Sequence, residues 1–553
     1  MRLTSLLRAG LRRWPVILLL LVAAAFSAAC LREAWLDSPT VDEPVYVASG
    51  VLIAVHQDLS YNQEHQPLPK AIAALPVLAA RPAMPAGWSH VRGKQEGPYA
   101  ARFTKAQLAA GKLRMVTFLS RLVPILEALA TGLVLYRLGA LLFGPAAGAV
   151  AGVLWLASPV SMGLGHIDGV DLPIALAAAL TSLALLRWYR RRDRVSLVLT
   201  GLAAGLAAAA GLSGLLAVAC AGAVVVGVTW RGRGALRALG SGAAVALAAF
   251  AVLWASYAMF DPLLLLHPAG FLPQPYAGGL RFLQLHDSKN NGWAYLWGIQ
   301  WQGRRWWYWP GSVLVKTPAP TLLLLIASPL ALLAVPRAAR REALLTVGLP
   351  AAALTIFTIF VPPDTGIRYL LPAIALLLVL ASAVVFLARR YATRAVLAVL
   401  VTISIALGAS SFPHSIAWTQ PPFTPGYRYA SGSNLDWGQD YSPLLQWSRG
   451  RHAYVAFHAG HGLGTIPGTR SLTAASPRSI VGWVAVSATL LTARGNAAPA
   501  WLRHYCPVTT IAGTILVYRF ARPPAATTPG PPFPAGLCRD SRYSRLSAAG
   551  SRG

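Results

Sequence analysis

The chain has 553 residues, of which 56% are hydrophobic and only 12% are charged, with a mean hydropathy of +0.53. Because soluble domains carry about twice this share of charge, the composition excludes a soluble enzyme, a disordered chain and a small disulfide-stapled protein, and indicates a polytopic membrane protein. Lys and Arg outnumber Asp and Glu by 48 to 18, a net charge of +30 that by itself would suggest a nucleic-acid partner. The basic residues are separated by apolar runs of about 20 residues, as at the cytoplasmic ends of transmembrane helices, so no nucleic acid is expected.

Eleven apolar segments are predicted to span the membrane. Arginine clusters precede the first segment and recur in the loops due on the same side, which places the N-terminus in the cytoplasm and the C-terminus outside. A glycine-containing bend at 211–214 is expected to separate the fifth and sixth segments. The predicted spans are 15–31, 115–136, 146–164, 172–189, 196–212, 214–230, 238–257, 313–335, 343–361, 367–388 and 395–412.

Three long segments lie outside these spans, at 32–114, 258–312 and 413–553. The first contains two short apolar stretches, 44–55 and 67–80, which are too short to cross a bilayer and are predicted as interfacial helices. Alternating runs at 452–457, 480–486 and 514–520 predict strands of a small extracytoplasmic α/β or β domain over 413–521. Residues 522–553, rich in Pro, Ala, Ser and Arg, are predicted to be a disordered tail. If this part is extracytoplasmic, Cys506 and Cys538 could pair.

Candidate chemistry begins with Asp42 and Glu43, about ten residues beyond the first span. One interpretation is a helix start, because Thr40 and Glu43 have capping-box spacing and Pro44 suits a first turn. The other is a carboxylate fixed at the membrane surface that accepts a proton from a hydroxyl nucleophile. Spacing alone leaves both open.

Two further polar groups occur at outer positions of the first four spans. Glu64 and His65 precede the second interfacial helix, where they could bind a metal or a phosphate or simply lie in a solvated loop. Asp171, with His166 and Asp168 nearby, lies at the fourth span, where capping of that helix is the alternative to a functional role.

The second long loop carries His286 and then eight Trp or Tyr residues within 293–309. Such aromatics suit sugar faces, but they are also common at membrane interfaces. Lys316 opens the eighth span and Arg368 with Tyr369 opens the tenth, both on the outer side. Cations there oppose the positive-inside bias, so an anionic headgroup partner is one interpretation and snorkelling anchors are the other. Within the second span, Glu127 is expected to pair with Arg121 or with a neighbouring helix.

The order of these motifs resembles the GT-C membrane glycosyltransferases over about residues 15–412. The motifs are the Asp-Glu pair at 42–43, Glu-His-x-Pro-Leu-x-Lys at 64–70, Asp-x-Pro at 171–173, Trp-Trp-Tyr leading to Lys-Thr-Pro at 306–318, and Arg-Tyr-Leu-Leu-Pro at 368–372. The branch that looks most similar is the glycosyltransferase family 39-like group of protein O-mannosyltransferases and aminoarabinose transferases, which depend on a polyprenyl-phosphate carrier. Similar bacterial members carry a C-terminal extension in which the runs at 434–439 and 482–487 look familiar.

The resemblance implies a GT-C fold of about 11 transmembrane helices in 1–412, with the C-terminal domain beyond it. It implies that Asp42 is the general base. The remaining site residues that it implies are Glu43 in the acceptor site, Glu64 and His65 near the donor phosphate, Asp171 at the active site, Lys316 and Arg368 with Tyr369 facing the lipid phosphate, and Glu64 with His286 as ligands of a divalent metal ion.

The resulting functional hypothesis is a hexosyl- or pentosyltransferase that moves a sugar from a polyprenyl phosphate to a hydroxyl of a protein, lipid or glycan. A phosphate-linked sugar already has a good leaving group, so one base and stabilising positive charge are enough, which predicts single-displacement inversion. No organic cofactor is expected. The alternatives are a multi-pass secondary transporter or lipid flippase, and a surface-binding protein working through 413–553. The excess of 42 Arg over 6 Lys suggests GC-rich coding and a bacterial plasma membrane.

Overall fold

The computed structural model describes residues 2–87, 96–266, 268, 270–289, 293–360, 363–492 and 499–524. The part before residue 412 is built almost entirely of helices. They are α1 (Arg2–Leu36), α2 (Glu43–His56), α3 (Pro67–Leu78), α4 (Glu96–Ala109), α5 (Leu113–Ser120), α6 (Leu122–Phe143), α7 (Pro145–Leu156), α8 (Pro159–Gly165), α9 (Asp171–Arg191), α10 (Arg194–Ala210), α11 (Leu215–Arg233), α12 (Ala235–Ala258), α13 (Leu263–Leu266), α14 (Gln274–Lys289), α15 (Tyr308–Lys316), α16 (Ala319–Ala334), α17 (Arg337–Ala343), α18 (Leu349–Phe360), α19 (Leu371–Ala381) and α20 (Tyr391–Ala409).

The helical membrane architecture is confirmed. Within the described residues, eight helical segments are long and apolar enough to cross a bilayer, and α7 with α8, bent by 58°, form a ninth. The two remaining predicted spans correspond to α10 and α16, which have 17 and 16 residues. At about 1.5 Å per residue, each is a few ångströms shorter than the hydrocarbon core of a typical bilayer. The predicted bend is also present, as a 3₁₀ turn at Leu212–Gly214 between α10 and α11.

Small residues allow the membrane helices to approach closely. In the hairpin of α6 and α7, a Cβ added at Gly148 would lie 2.5 Å from the carbonyl oxygen of Tyr136. Only glycine fits at such a crossing, since helix association in lipid depends on close backbone packing rather than on a hydrophobic driving force. The sequence therefore sets the helix spacing through its small residues as well as through its apolar ones.

The first long loop folds into α2, α3 and α4. Pro44 and Pro67 occupy the first turns of α2 and α3, where a missing N–H does no harm. The predicted interfacial helices are confirmed as helices, but α2 is buried continuously from Glu43 to Ile53. Its side chains pack in a separate hydrophobic cluster with α3 and α4. The loop is thus a packed layer that holds Asp42 in a fixed position.

The second long loop contains an antiparallel hairpin of β1 (Trp293–Leu296) and β2 (Ile299–Gln302), followed by α15. Its aromatics pack mainly against one another: the rings of Trp301 and Trp307 are 4.7 Å apart, and Trp309 is 1% exposed. Trp306 and Trp297 are exceptions, with 67% and 37% of their surfaces exposed. Most of the predicted sugar-stacking aromatics are therefore core residues of this loop.

The C-terminal part is a small mixed sheet with short helices, as predicted. Its strands have the order β4-β3-β5-β7-β6, with β3 parallel to β4 and β5 and the other pairs antiparallel. Cys506 is disulfide-bonded, and its predicted partner Cys538 lies outside the described residues, as does the tail from residue 525. The elements are α21 (Tyr441–Ser448), β3 (Ala453–Ala456), β4 (Arg470–Ser471), β5 (Gly482–Ser487), α22 (Ala488–Thr492), β6 (Thr509–Ile511) and β7 (Ile515–Phe520).

Candidate active site

Asp42 and Arg368 form an ion pair at the centre of the candidate site. Asp42 precedes the first turn of α2, yet its side chain makes no capping hydrogen bond. Arg368, in the 3₁₀ turn that opens α19, donates from Nη1 to Asp42 Oδ2 at 2.9 Å. The Asp42 side chain is 29% exposed and that of Arg368 is 13% exposed. The structure thus leaves the Asp42 carboxylate accessible, as a proton acceptor must be.

Arg368 is held between aromatic rings. Its guanidinium lies 4.5 Å from the ring centroid of Trp437 and 5.1 Å from that of Tyr369. Its Nε is buried without a hydrogen-bond partner among the described residues. A stacked guanidinium with a spare donor can bind a phosphate oxygen while it stays paired with a carboxylate. The predicted residue Tyr369 therefore acts on the site through this stacking.

Glu43 has a structural position instead of the predicted place in an acceptor site. It is 1% exposed, and its two oxygens accept from Arg121 Nε and Nη2, both at 2.7 Å. They also accept the backbone N–H groups of Thr40 at 2.7 Å and Asp168 at 2.9 Å. Burial raises the pKa of Glu43, but the Arg121 guanidinium outweighs it and the pKa is lowered. Arg121 thus pairs with Glu43, so the first of the two partners expected for Glu127 is wrong.

His166 contacts two carboxylates at the end of α1, close to the segment that carries Asp42. It is fully buried, with Nδ1 3.1 Å from Glu33 Oε2 and Nε2 3.0 Å from Asp37 Oδ2. Burial opposes its charge, but the two carboxylates raise the pKa of His166 above its usual value. The sequence indicated His166 as a candidate but not its partners, because Glu33 and Asp37 lie about 130 positions earlier in the chain.

Asp171 lies close to the pair described above. It is the first residue of α9 rather than its cap, and it is 7% exposed. Asp171 and Trp437 line one small crevice, while Trp437 also lines the cavity that contains Asp42. Arg368 is within electrostatic reach of both Asp171 and Asp42. The structure therefore brings two of the predicted acids together around one guanidinium.

A second cluster is formed by Asn62, Glu64, Lys70 and Glu96. The Asn62 amide donates to Glu64 Oε1 at 2.5 Å and to Glu96 Oε1 at 3.1 Å, while Lys70 Nζ donates to Asn62 Oδ1 at 3.1 Å. Burial, and then the neighbouring Glu64, raises the pKa of Glu96 to about 8. Burial lowers the pKa of Lys70 to about 7. At neutral pH one proton is therefore held between the two carboxyl groups.

His65 connects this cluster to the first one. Its Nε2 lies 3.5 Å from the hydroxyl of Tyr46, and the two rings meet edge to face at 5.2 Å. Burial lowers the pKa of His65 to about 4, so the imidazole is neutral. A neutral imidazole can exchange hydrogen bonds with a ligand but adds no positive charge for a phosphate.

The predicted metal site is not assembled by the residues that can be described. Among them, no three His, Cys, Asp or Glu side chains are grouped as metal ligands. Glu64 accepts from Asn62 and lies beside Glu96 and the competing cation Lys70. The side chain of His286 lies outside the described part of α14. The metal ion stays a prediction, and no step below depends on it.

Lys316 is not positioned for a lipid phosphate. It is 3% exposed, and its Nζ donates to the carbonyl oxygens of Ile416, at 2.8 Å, and Trp418. These carbonyls belong to the chain segment that follows α20. The ammonium therefore holds this segment to the end of α15, and contact of Lys316 with the lipid phosphate stays a prediction that this arrangement does not support.

The C-terminal extension forms part of the site. The carbonyl of Trp437 accepts the N–H of Val41 at 2.9 Å, and Asn434 Oδ1 accepts the N–H of Ile367 at 2.8 Å. These bonds hold the two backbone segments that carry Asp42 and Arg368. A cavity of about 250 Å³ results. Its polar and aromatic lining includes Asp42, Trp293, Tyr308, Asp364, Arg368, Trp437 and His458.

Five of these seven lining residues, all but Asp42 and Arg368, had not been predicted as site residues. Asp364 is 5% exposed and accepts the indole N–H of Trp301 at 3.0 Å, which fixes the loop before α19. His458 follows β3 and faces the cavity from the sheet. The run at 434–439 was the available signal, because a polar and aromatic stretch just beyond the last span is typical of a contact with the membrane part.

Comparisons with known proteins agree with the resemblance over part of the chain. The family model described as dolichyl-phosphate-mannose-protein mannosyltransferase matches residues 111–254, about a quarter of the chain. The chain is therefore similar to that GT-C family there, as predicted. No curated protein matches the sequence.

Several solved structures are similar in part. ArnT from Cupriavidus metallidurans in the apo state is 18% identical, with a TM-score of 0.47 over 70% of this chain and 62% of that chain. The same protein bound to undecaprenyl phosphate is also 18% identical, with a TM-score of 0.47 over 71% of this chain and 64% of that chain. The Archaeoglobus fulgidus oligosaccharyltransferase AglB, in complex with an inhibitory peptide and a dolichol-phosphate, is 12% identical, with a TM-score of 0.46 over 92% of this chain and 74% of that chain. The chain thus spans less than two thirds of the ArnT structures that it matches.

Proposed function

We propose that this integral membrane protein is a glycosyltransferase that moves a sugar from a polyprenyl phosphate to a hydroxyl acceptor on the extracytoplasmic side. The observation that carries the proposal is the pair of Asp42 and Arg368. An accessible carboxylate that makes no capping hydrogen bond lies beside a guanidinium whose Nε has no hydrogen-bond partner among the described residues, in a cavity on the side predicted to be extracytoplasmic. The family match and the solved complexes with lipid phosphates support the choice of donor.

The proposed reaction is a single displacement. The acceptor oxygen attacks the anomeric carbon and passes its proton to Asp42 as the new C–O bond forms. The bond between that carbon and the phosphate oxygen breaks on the opposite side, so the configuration inverts. The lipid phosphate leaves with its electron pair, and the Arg368 guanidinium stabilises the negative charge that develops there. No general acid is required, because a phosphate is already a good leaving group.

The site offers few other cations for the phosphate. The Lys316 ammonium already donates to backbone carbonyls, and the low pKa of His65 leaves its imidazole neutral. Lys70 is buried next to Asn62 and titrates near pH 7. Arg368 is therefore the principal phosphate ligand in this proposal, with Asp171 and Tyr369 fixing its position.

The substitution Asp42→Asn tests the proposal. It keeps the shape of the side chain and removes the base, so sugar transfer should fall by about 10²–10⁴-fold. Asp58→Asn is the matched control, since Asp58 is an acid of the same loop that accepts the Ser60 N–H at 2.8 Å and does not line the cavity. Each variant is expressed in cells that lack the wild-type chain. Mass spectrometry of surface glycoproteins and glycolipids then identifies the modification that each variant fails to make.

The outcomes separate the hypotheses. Loss of one glycan species with Asp42→Asn, and its retention with Asp58→Asn, supports the proposal and identifies the sugar and acceptor. Transfer at the wild-type rate by purified Asp42→Asn excludes Asp42 as the base. A protein that moves labelled lipid phosphate across vesicles without sugar transfer would instead be the flippase considered above. The bacterial plasma membrane is the proposed location.

A further inference from the structure

A large cavity lies far from the candidate active site, at the face predicted to be cytoplasmic. Its volume is about 940 Å³, and this open cavity is bordered by the ends of α9, α10, α11 and α12 with a contribution from α17. One acid, Asp193, and six arginines line this cavity, which is named the arginine cavity. The six are Arg192, Arg194, Arg231, Arg233, Arg237 and Arg341.

These arginines lack acidic partners. The carboxylate of Asp193 accepts the N–H of Ser196 at 2.7 Å and thereby caps α10. Glu342, the other acid of this face, pairs at 2.6 Å with Arg190, which does not line the cavity. In the part of the chain that the structure describes, none of the six cavity arginines forms an ion pair. The cavity therefore holds a concentrated, uncompensated positive charge.

Arg192 ends α9 and is held in place by its neighbours. Its φ of 57° is that of a left-handed C-cap, a common way for a helix to end. Its guanidinium lies 4.8 Å from the ring centroid of Trp188 and 4.5 Å from that of Tyr189, and its Nε donates to the Tyr189 carbonyl at 2.7 Å. Burial, together with Arg233 and Arg341, lowers the pKa of Arg192. The stacking and this hydrogen bond therefore fix the Arg192 guanidinium in the cavity.

The lining is also partly apolar. Leu197, Val198 and Val228 line the cavity beside the arginines. Acyl chains attached to a bound headgroup would contact these apolar side chains at the cavity wall, whereas a soluble anion would not use them. Arginines at the cytoplasmic ends of helices follow from topology alone, but a shared cavity of this size does not.

We propose that the arginine cavity binds the headgroup of an anionic phospholipid that carries two phosphates. Such a headgroup supplies the negative charge that the six guanidinium groups lack. Its size suits a cavity of several hundred cubic ångströms, and its acyl chains would contact the apolar side chains that α10 and α11 contribute to the lining. Basic pockets between membrane helices on the cytoplasmic side are where such lipids bind. This site is independent of the proposed sugar transfer, and its ligand is a bilayer lipid.

The test compares two triple variants of the full chain. Arg192→Gln, Arg233→Gln and Arg341→Gln remove three cavity charges. The control set is Arg389→Gln, Arg390→Gln and Arg394→Gln, which removes three charges of the same predicted face outside the cavity. Each protein is titrated with cardiolipin in detergent and bound lipid is counted by native mass spectrometry, with phosphatidylglycerol at equal charge and inorganic pyrophosphate as competitors.

We expect cardiolipin affinity to fall about 100-fold in the cavity triple, since each arginine near an anionic headgroup contributes about fivefold. The control triple should change it by less than threefold. Equal losses in both triples would overturn the proposal, because they would show a diffuse positive surface. Displacement by pyrophosphate at the same concentration would overturn the choice of a lipid. The single variant Arg192→Gln, whose stacked side chain is replaced without altering the other five, should still weaken binding if the triple fails to fold.

Discussion

Arg121→Met is predicted to cause a large loss of stability, because Arg121 is the fully buried partner of Glu43. Its guanidinium makes five hydrogen bonds: two at 2.7 Å to Glu43 and three, between 2.8 and 2.9 Å, to the carbonyls of Ala34, Asp37 and Ser38. These bonds join the end of α1 to the start of α2. The substitution keeps an unbranched apolar chain of similar length but removes every donor.

The magnitude follows from the charge that is left behind. Removing one partner of a buried ion pair costs about 3–5 kcal/mol, since the remaining charge has neither partner nor water. The double variant Arg121→Met with Glu43→Gln should lose less stability than Arg121→Met alone, because no unpaired carboxylate is left buried. Arg121→Lys should fall between wild type and Arg121→Met, as an ammonium retains the charge but has three donors in place of five.

Unfolding of the purified protein in mixed micelles with increasing denaturing detergent provides the measurement. Arg190→Met is the control, because Arg190 pairs with Glu342 at 2.6 Å with 37% of its side chain exposed, and a pair of this kind contributes about 0–1 kcal/mol. If Arg121→Met and Arg190→Met shift the midpoint equally, the buried pair does not hold the loop, and the account of how Asp42 is positioned is wrong.

Three further variants test other parts of the structure. Trp437→Ala removes a ring from the Arg368 guanidinium and should lower the rate of sugar transfer about 30-fold, as for a desolvated cation–π contact of about 2 kcal/mol, while Trp437→Phe keeps most of it. In the folded protein the pKa of Glu96 is about 8, above its usual value of 4.5. The stability that protonated Glu96 contributes is therefore complete below pH 4.5 and is lost as the pH rises through 8. The melting temperature should fall over this pH range in wild type and change less in Glu96→Gln. Gly50→Ala places a Cβ 2.3 Å from a carbonyl oxygen of α3 and should lower the melting temperature, whereas Gly222→Ala in α11 meets nothing within 4 Å and should leave it unchanged or higher.

The membrane architecture could be predicted because its causes are local. A run of apolar residues with flanking arginines defines a span without reference to the rest of the chain. The helix starts at Pro44 and Pro67 were equally accessible, as each depends on one residue and its neighbours. The three longer C-terminal strands followed from alternation, whereas β4 and β6, with two and three residues, are too short to give a pattern.

The partners within the site could not be predicted, because they depend on how distant segments pack. Sequence placed Asp42 and Arg368 on the same side of the membrane, but they are 326 positions apart and only the fold shows that they pair. Proximity along the helix suggested Glu127 as the partner of Arg121, whereas the actual partner is 78 positions away. Lys316 looked free for a phosphate because backbone carbonyls of a remote loop leave no trace in composition.

The main-chain bonds between the first loop and the C-terminal extension have a consequence for biogenesis. Ser38 donates its N–H to the carbonyl of Gln439 at 2.8 Å, and Val41 donates to that of Trp437, so the backbone just before Asp42 is fixed by residues about 400 positions later in the chain. In the predicted topology, the first loop is translocated long before these residues leave the ribosome. The nascent protein would then insert with an incomplete candidate site, and the proposed sugar transfer would begin only when the C-terminal extension has crossed the membrane and folded.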